Sequence, residues 1–178
     1  MEMFTLMRRV QEHIREQIKC DQYVVMERSI YSGYYCFALN SYEQGFMNDL
    51  EWEIHKQWFN YLVNEKCAHP KGFIYLKTTP KIAYERTKKR NREGEEIIPL
   101  SYFQQIDKQL EQFLVKKQGL TEGLEATPVL ILDCDQEFEA SETRKKQLID
   151  QLEQFFAQTK KFIPPEKEIN ERNQTHIL

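Results

Sequence analysis

Glycine is scarce in this sequence, with six in 178 residues. The glycines lie at positions 33, 45, 72, 94, 119 and 123, so no two have the spacing of GxGxxG or GxxxxGK[ST]. Loops of those types bind phosphate because their backbone amides can approach it closely. These residues therefore contain no glycine-rich phosphate loop of their own.

Three further absences narrow the class of protein. Lys and Arg total 25 against 28 Asp and Glu, a net charge of -3, whereas binding to nucleic acid phosphates favours a basic surplus. No apolar run approaches the ~18 residues of a membrane span, and no signal peptide opens the sequence. The four cysteines form no CxxC pair, which argues against a disulfide framework. We therefore expect a cytoplasmic protein with no nucleic acid partner and no membrane attachment.

The apolar residues that are present predict helices alternating with strands. The runs 23–26, 72–77 and 128–133 are apolar almost throughout, which is typical of strands covered on both faces. Apolar residues at steps of three and four, together with capping and proline signals, predict the helices. These are 3–19, 31–44, 48–67, 80–92, 99–117 and 141–159. The alternation predicts an α/β fold with a parallel sheet.

For the 48–67 helix, the sequence predicts both the N-terminal cap and the side chains that are buried. Asn48 is a plausible N-cap, with Glu51 three residues later as in a capping box. The large side chains of the helix are expected in the core, because aromatic residues usually bury their area. They are Trp52, Trp58, Tyr61 and Leu62.

Ligands of parallel sheets bind at the carboxyl ends of the strands, where three groups of residues stand out. Glu27 and Arg28 follow the first strand; they are either a surface ion pair or a carboxylate and guanidinium that act on one substrate. Arg86, Arg90 and Arg92 form a basic cluster that runs into Gly94, either a solvated face or a mobile flap over phosphoryl groups. The third group is the loop 133–138, where Phe138 could stack on a base.

In order along the chain, these segments resemble the deoxyribonucleoside kinase family, which includes deoxycytidine, deoxyguanosine and mitochondrial thymidine kinases. The most specific block is Glu27-Arg28-Ser29-Ile30-Tyr31-Ser32, followed by Tyr35 and Phe37. Further matches are Asn40, Tyr42-Glu43, Met47-Asn48, Glu51-Trp52, Gly72 to Leu76, Arg86, Arg90 to Arg92, Glu95, Ile98 to Leu100, Tyr102 and Pro128 to Asp133. The resemblance covers about residues 1–158. It implies a P-loop kinase-like three-layer α/β/α fold with a parallel sheet.

The resemblance also implies a role for each matching residue. Glu27 and Arg28 are the catalytic pair, with Glu27 near Mg2+ and the reacting 5′-hydroxyl. Arg86, Arg90 and Arg92 form a lid that contacts the phosphates of ATP or another nucleoside triphosphate. The substrate-binding positions are Arg9 and Gly33 near the base, Phe37 stacked on it, and Glu95 at the sugar hydroxyl. Glu137 and Phe138 flank the donor base, and the protein is expected to be a homodimer.

Two departures from the family pattern matter. The Walker-A loop and the first two strands of the family are absent from these residues, so we interpret the chain as an N-terminally incomplete fragment that is inactive by itself. Position 33 is Gly where deoxycytidine and deoxyguanosine kinases have an Asp that faces the base, so the base preference does not carry over. We expect a kinase-like domain at 1–160 and a polar, frayed tail at 161–178.

The leading hypothesis is transfer of a γ-phosphate from a nucleoside triphosphate to the 5′-hydroxyl of a deoxyribonucleoside, as in nucleotide salvage. The alternative is a non-catalytic nucleoside-binding or assembly subunit derived from the same family. A third interpretation, nucleic acid binding by the 86–92 cluster, is disfavoured by the acidic charge balance.

Overall fold

The computed structural model describes residues 2–19 and 24–160. Its helices are α1 (Glu2–Lys19), α2 (Ile30–Ser32), α3 (Leu39–Glu43), α4 (Asp49–Glu65), α5 (Pro80–Arg90), α6 (Leu100–Leu110) and α7 (Glu142–Thr159), and its strands are β1 (Phe73–Lys77) and β2 (Val129–Asp133). Stretches of π-helix at Gly33–Ala38 and Glu111–Val115 continue α2 and α6, and Leu124–Ala126 is a 3-10 turn. The helices predicted from the sequence are confirmed, with 31–44 and 99–117 each containing a π-helical part.

Local sequence signals set several helix starts. The Asn48 side chain accepts a hydrogen bond from the Glu51 amide at 2.9 Å, and the Glu51 carboxylate accepts one from the Asn48 amide at 2.9 Å. This confirms the capping box predicted for α4. Pro80 occupies the first turn of α5, where a missing N–H costs nothing. Thr79 stands at the N-cap of α5, but its side chain makes no capping hydrogen bond.

The two strands pair in parallel, with Phe73 opposite Val129 and Lys77 opposite Asp133. Side chains alternate between the two faces of such a pair. On one face Phe73, Tyr75 and Val129 pack into the larger core, with Tyr31, Phe59 and Phe113. On the other face Ile74, Leu130 and Leu132 pack with Leu148 and Leu152 of α7. The α/β arrangement predicted from the sequence, a parallel sheet between helical layers, is confirmed.

The strand predicted at 23–26 is not found in the described part of this segment. Residues 24–26 have no regular secondary structure, and Val24 and Val25 are 40% and 69% exposed; Tyr23 lies outside the described residues. A strand is stabilised by hydrogen bonds to a neighbour, and in the described sheet β1 pairs with β2. An apolar run without a neighbouring strand therefore forms no ladder here.

The prediction that Trp58 and Tyr61 belong to the core is wrong, because both are 47% exposed. One face of α4 supplies the core through Phe59, Leu62 and Val63. Trp58 and Tyr61 lie instead on an outward face with Leu50 and Ile54, at steps of three and four residues. We call these four side chains the α4 stripe: Leu50, Ile54, Trp58 and Tyr61.

Within residues 2–19 and 24–160, no helix has the combined length and apolar character that crossing a bilayer requires. The tail predicted at 161–178 lies outside the described residues, and the domain boundary at 160 stays a prediction.

Candidate functional site

Arg28 lies between the irregular segment 24–26 and the helical segment that carries Phe37. Its backbone adopts the left-handed conformation, with φ of 53°, and the Ser29 hydroxyl then caps α2 by accepting from the Ser32 amide at 3.3 Å. Non-glycine residues adopt this conformation rarely. The guanidinium of Arg28 lies 5.4 Å from the centre of the Phe37 ring.

Arg9 reaches the same ring from α1. Its guanidinium carbon lies 5.8 Å from the centre of the Phe37 ring, and its Nη1 donates to the Ser29 carbonyl at 3.1 Å. A Cβ atom at position 33 would lie 3.0 Å from Arg9 Nη1, so the absence of a side chain at Gly33 leaves room for the guanidinium. Burial and the charge of Arg28 lower the pKa of Arg9.

Four predicted residues therefore converge, and we call them the Phe37 site: Arg9, Arg28, Gly33 and Phe37. Two guanidinium groups lie over one aromatic ring, and together they combine an apolar ring with hydrogen-bond donors close to it. Such a surface suits a planar, polar ring that carries acceptor atoms. Glu27 stands at the border of this site: its side chain is 92% exposed, and Oε1 lies 3.9 Å from Arg28 Nε.

The lid residues form a second cluster at the C-terminal end of α5 and in the turn that follows it. Arg90 donates to both oxygens of Glu95, from Nη2 to Oε2 at 2.7 Å and to Oε1 at 2.9 Å. Asn91 ends the helix in the left-handed conformation, with φ of 51°, and Gly94 turns the chain with φ of 85°. Because of this turn, Glu95 folds back against Arg90.

Arg92 lies exposed on the same lid, beside a groove of about 190 Å³ that Thr87, Asn91 and Glu95 also line. Among the described residues, Arg92 makes no ion pair. Its guanidinium is therefore available to an anion that enters the groove.

Arg86 takes part in a third cluster, at the loop 133–138. Its Nη1 donates to the Cys134 carbonyl at 2.5 Å, and its Nη2 donates to the carbonyls of Asp135 at 3.0 Å and Gln136 at 3.4 Å. The Glu137 carboxylate accepts from the amides of Glu139 and Phe138, both at 3.0 Å. Those amides, together with the charge of Arg86, hold the pKa of Glu137 below its usual value.

Two residues that received no role in the sequence analysis belong to these clusters. Burial raises the pKa of Tyr102, and the charge of Arg28, a residue of the Phe37 site, opposes that rise. Arg144 donates to the Asp133 carbonyl at 2.7 Å. It lies in the first turn of α7, where the helix dipole disfavours a cation, and that unusual position is the one sequence signal for it.

The predicted site residues thus fall into three groups, at the Phe37 site, the lid and the 133–138 loop. Glu27 forms its ion pair with Arg28, whereas Arg86 and Arg90 are bonded to loop carbonyls and to Glu95.

Comparison with known proteins matches the chain to the family model described as deoxynucleoside kinase, over residues 1–157. The chain is 37% identical over 133 residues to deoxycytidine kinase 2 of Gallus gallus, covering 72% of this chain and 50% of that protein. It is 31% identical over 151 residues to the mitochondrial deoxyguanosine kinase of Xenopus laevis, covering 83% and 54%. It is 34% identical over 127 residues to mitochondrial thymidine kinase 2 of Homo sapiens, covering 71% and 46%.

The chain therefore spans about half the length of these relatives. The family model, in contrast, covers nearly all of the described residues. The match includes the segments that carry the Phe37 site, the lid and the 133–138 loop, and on this ground the chain belongs to the deoxynucleoside kinase family.

Proposed function

We propose that this chain is part of an enzyme that transfers the γ-phosphate of a nucleoside triphosphate to the 5′-hydroxyl of a deoxyribonucleoside. The observation that supports this most is the convergence of Arg9 and Arg28 on the Phe37 ring, at 5.8 Å and 5.4 Å. A stacking surface bordered by donors suits a nucleobase, because every base has an apolar face and acceptor atoms at its edge.

The acceptor nucleoside is assigned to the Phe37 site and its surroundings. Phe37 stacks on the base, and the Arg9 guanidinium donates to acceptors at the base edge. Glu95 accepts a hydrogen bond from a sugar hydroxyl. Glu27 accepts the proton of the 5′-hydroxyl, since its carboxylate is exposed and lies 3.9 Å from Arg28, its ion-pair partner among the described residues. Arg28 in turn neutralises the oxygens around the reacting phosphoryl group.

The donor triphosphate, ATP in our proposal, is assigned to the lid and to the 133–138 loop. Arg90 and Arg92 bind its phosphates, with Arg86 as the third lid arginine, and Glu137 and Phe138 flank its base. Phosphoryl transfer needs positioning and positive charge more than covalent chemistry from the protein. Guanidinium groups on a flap supply both once the flap closes over the phosphates.

A magnesium ion is part of the proposed reaction, and the described residues can supply part of its ligands. Mg2+ is commonly held by one or two carboxylates together with the substrate phosphates. The exposed carboxylate of Glu27 can provide one such oxygen. The described residues hold no group of three acidic, His or Cys side chains that could bind a metal, so the remaining ligands would come from phosphate and water. When bound, the ion would neutralise charge on the phosphates.

A non-catalytic nucleoside-binding or assembly subunit is the second candidate function. It is favoured by one observation: residues 1–178 contain no GxxxxGK[ST] motif. Without such a loop, the phosphates lose the backbone amides and the lysine that normally hold them.

The test combines binding and turnover. Calorimetry with four deoxynucleosides is expected to show binding that Phe37→Ala weakens and that Phe46→Ala, at an 80% exposed position, leaves unchanged. With radiolabelled ATP, residues 1–178 alone are expected to show no turnover. A chain extended by any in-frame GxxxxGK[ST] sequence encoded upstream is expected to phosphorylate the bound nucleoside. Binding without turnover by the extended chain would favour the non-catalytic candidate, and absence of both would contradict the proposal.

We also propose that the protein forms a homodimer through the α4 stripe. Ile54, Trp58 and Tyr61 expose large apolar surface along one side of a 17-residue helix, and apolar patches of this kind commonly mark interaction sites. The family resemblance implies a homodimer, which makes a second copy of the chain the expected occupant.

A cytoplasmic location remains our proposal as well. Cys36 and Cys134 are buried and form no disulfide among the described residues, which agrees with a reducing compartment. Two of the relatives are named as mitochondrial. Fractionation of cells that express the tagged protein decides between the two locations, and recovery in mitochondria would contradict ours.

A further inference from the structure

We propose that Arg86 is a positioning residue that fastens the 133–138 loop to α5, so that the donor-base loop and the lid form one unit. This inference rests on the proposed function for the identity of the ligand, but the contacts themselves do not depend on it. It replaces the expectation that Arg86 binds phosphate and makes a different prediction, for the base of the donor.

The contacts of Arg86 are those of a clamp. Both terminal nitrogens of its guanidinium donate to consecutive backbone carbonyls, those of Cys134, Asp135 and Gln136. These carbonyls follow the end of β2, beyond the last paired residue, Asp133. The pairing with β1 therefore does not supply hydrogen bonds to them. A planar guanidinium presents several donors in one fixed fork, which suits three adjacent acceptors. To bind a phosphate with the same nitrogens, Arg86 would have to release these carbonyls.

A second contact joins the loop to α5, at the residue that immediately precedes the helix. The Thr79 amide donates to Asp135 Oδ1 at 2.6 Å. The loop is therefore bonded to α5 at Thr79 and again at Arg86, seven residues later. Two such points fix both the position and the direction of the loop relative to the helix.

The start of the 133–138 loop is bonded to α7. Arg144 of α7 donates to the Asp133 carbonyl at 2.7 Å, and its Nη2 lies 3.8 Å from Asp133 Oδ2. The side chain of Arg144 is 21% exposed. Arg144 thus holds the base of the loop, whereas Arg86 couples its outer part to the helix that ends in Arg90 and the lid. Movement of α5 would carry Glu137 and Phe138 with it.

The distinguishing experiment uses Arg86→Gln, the conservative Arg86→Lys, and the matched control Lys81→Gln, which removes a charge from an exposed position of α5. Hydrogen exchange of amides 134–139 is measured without nucleotide. We expect Arg86→Gln to raise their exchange rate at least about fivefold, because local opening becomes easier. Arg86→Lys is expected to restore part of the protection, and Lys81→Gln to leave it unchanged. Exchange in β1 should stay at the wild-type rate in every variant.

A second measurement separates positioning from phosphate binding. We expect Arg86→Gln to weaken binding of ATP while leaving binding of inorganic tripolyphosphate nearly unchanged, because the loop faces the base. Equal weakening of both ligands, or wild-type loop exchange in Arg86→Gln, would overturn the proposal. If wild-type protein binds neither ligand, the donor assignment under the proposed function fails. The exchange measurement still tests whether Arg86 fastens the 133–138 loop to α5.

Discussion

Arg90 and Glu95 are bonded to each other across the turn that follows α5, with Arg90 Nη2 2.7 Å from Glu95 Oε2. The proposed function gives these two residues different ligands, the donor phosphates for Arg90 and a sugar hydroxyl for Glu95. One side chain cannot keep the bidentate pair and serve its ligand with the same atoms. Binding of a substrate through those atoms would loosen the pair and free the partner residue for the other substrate.

The first prediction concerns Glu95→Gln. It is expected to weaken deoxynucleoside binding about tenfold or more, since a hydrogen bond to a charged group contributes about 1.5–3 kcal/mol. Affinity for ATP should not fall, because Arg90 loses a competing carboxylate. The free energy of unfolding should change by less than about 1 kcal/mol, as is usual for exposed ion pairs. Calorimetry with each ligand checks the first two expectations and urea unfolding the third.

The matched control for that experiment is Glu93→Gln, which removes the same charge from an exposed lid position. It should leave nucleoside binding unchanged. If the two variants bind the nucleoside equally well, Glu95 does not contact the sugar.

The second prediction concerns Gly33→Asp. Gly33 has helical backbone angles, φ -56° and ψ -47°, so a side chain causes no backbone strain there. The new Cβ would lie 3.0 Å from Arg9 Nη1, the far end of a flexible side chain that can shift. A carboxylate beside Arg9 could accept from the amino group of cytosine, a pairing that contributes about 1–3 kcal/mol of discrimination. We expect affinity for deoxycytidine to rise at least about fivefold relative to thymidine.

Gly33→Ala separates the volume of the new side chain from its charge. It should leave the base preference unchanged, while helix propensity favours Ala over Gly by about 1 kcal/mol. Competition binding with the four deoxynucleosides gives the preferences. A shift of equal size in both variants would show that space rather than charge determines the base.

The third prediction concerns pH and Asp107. Its carboxylate accepts a hydrogen bond from the Tyr75 hydroxyl at 3.4 Å. Burial raises the pKa of Asp107, and the charge of Glu111 adds to this rise, whereas the charge of Lys77 opposes it. Because the folded pKa lies above the unfolded one, the stabilising contribution is present below the unfolded pKa of about 4 and is lost as pH rises through the folded pKa. Asp107→Asn should therefore stabilise the protein at pH 7, by less than about 1 kcal/mol.

The gain from Asp107→Asn should shrink as the pH is lowered towards about 4, the ordinary pKa of an aspartate. Urea unfolding at a series of pH values measures it. Asp150→Asn, at an exposed position of α7, is the control and should show no such pH dependence. A constant difference between Asp107→Asn and wild type at all pH values would contradict the raised pKa.

The fourth prediction concerns the contact between β1 and α7. A Cβ atom at Gly72 would lie 2.6 Å from Phe155 Cζ and 3.1 Å from Thr159 Cγ2. Overpacking of this kind costs about 1–3 kcal/mol, so Gly72→Ala should lower the free energy of unfolding by that amount. Phe155→Leu shortens the opposing side chain, and the double variant should be more stable than the sum of the single effects predicts. Strict additivity in urea unfolding would mean that the two positions do not clash.

Several predictions that rest on local sequence signals are confirmed. Asn48 and Glu51 form the predicted capping box, and the strands near 72–77 and 128–133 pair with each other. The residues gathered at Phe37 could also be predicted, through the family resemblance. These features depend on residues close in sequence or on a pattern that many proteins share.

The other features depend on partners that the sequence does not reveal. Residues 24–26 have the composition of a strand but no strand beside them in the described sheet. Trp58 has the size and polarity of a core residue, yet only the arrangement of the neighbouring helices decides which face of α4 is covered. Arg86 binds backbone carbonyls, and carbonyls are present at every position, so no residue type marks its acceptors.

The fifth prediction concerns the proposed dimer and follows from the exposure of Trp58. A lysine at an exposed position costs little in the folded monomer but leaves an unpaired charge when a second copy covers it. Large aromatic residues at interface centres commonly contribute 2 kcal/mol or more to binding. Trp58→Lys and Ile54→Lys should therefore weaken the dimer by at least about thirtyfold. Sedimentation equilibrium over a range of protein concentrations measures the dissociation constant.

The control for the dimer is Phe46→Lys, since Phe46 is 80% exposed but lies in the turn before α4, away from the stripe. It makes the same apolar-to-charged change and should leave the dimer intact. All three variants should unfold at the same urea concentration as wild type when measured as monomers, because none of the three side chains is buried in the core. A dimer that tolerates lysine at both Ile54 and Trp58 must associate through another surface, and a wild-type protein that stays monomeric at high concentration would remove the proposed role of the α4 stripe.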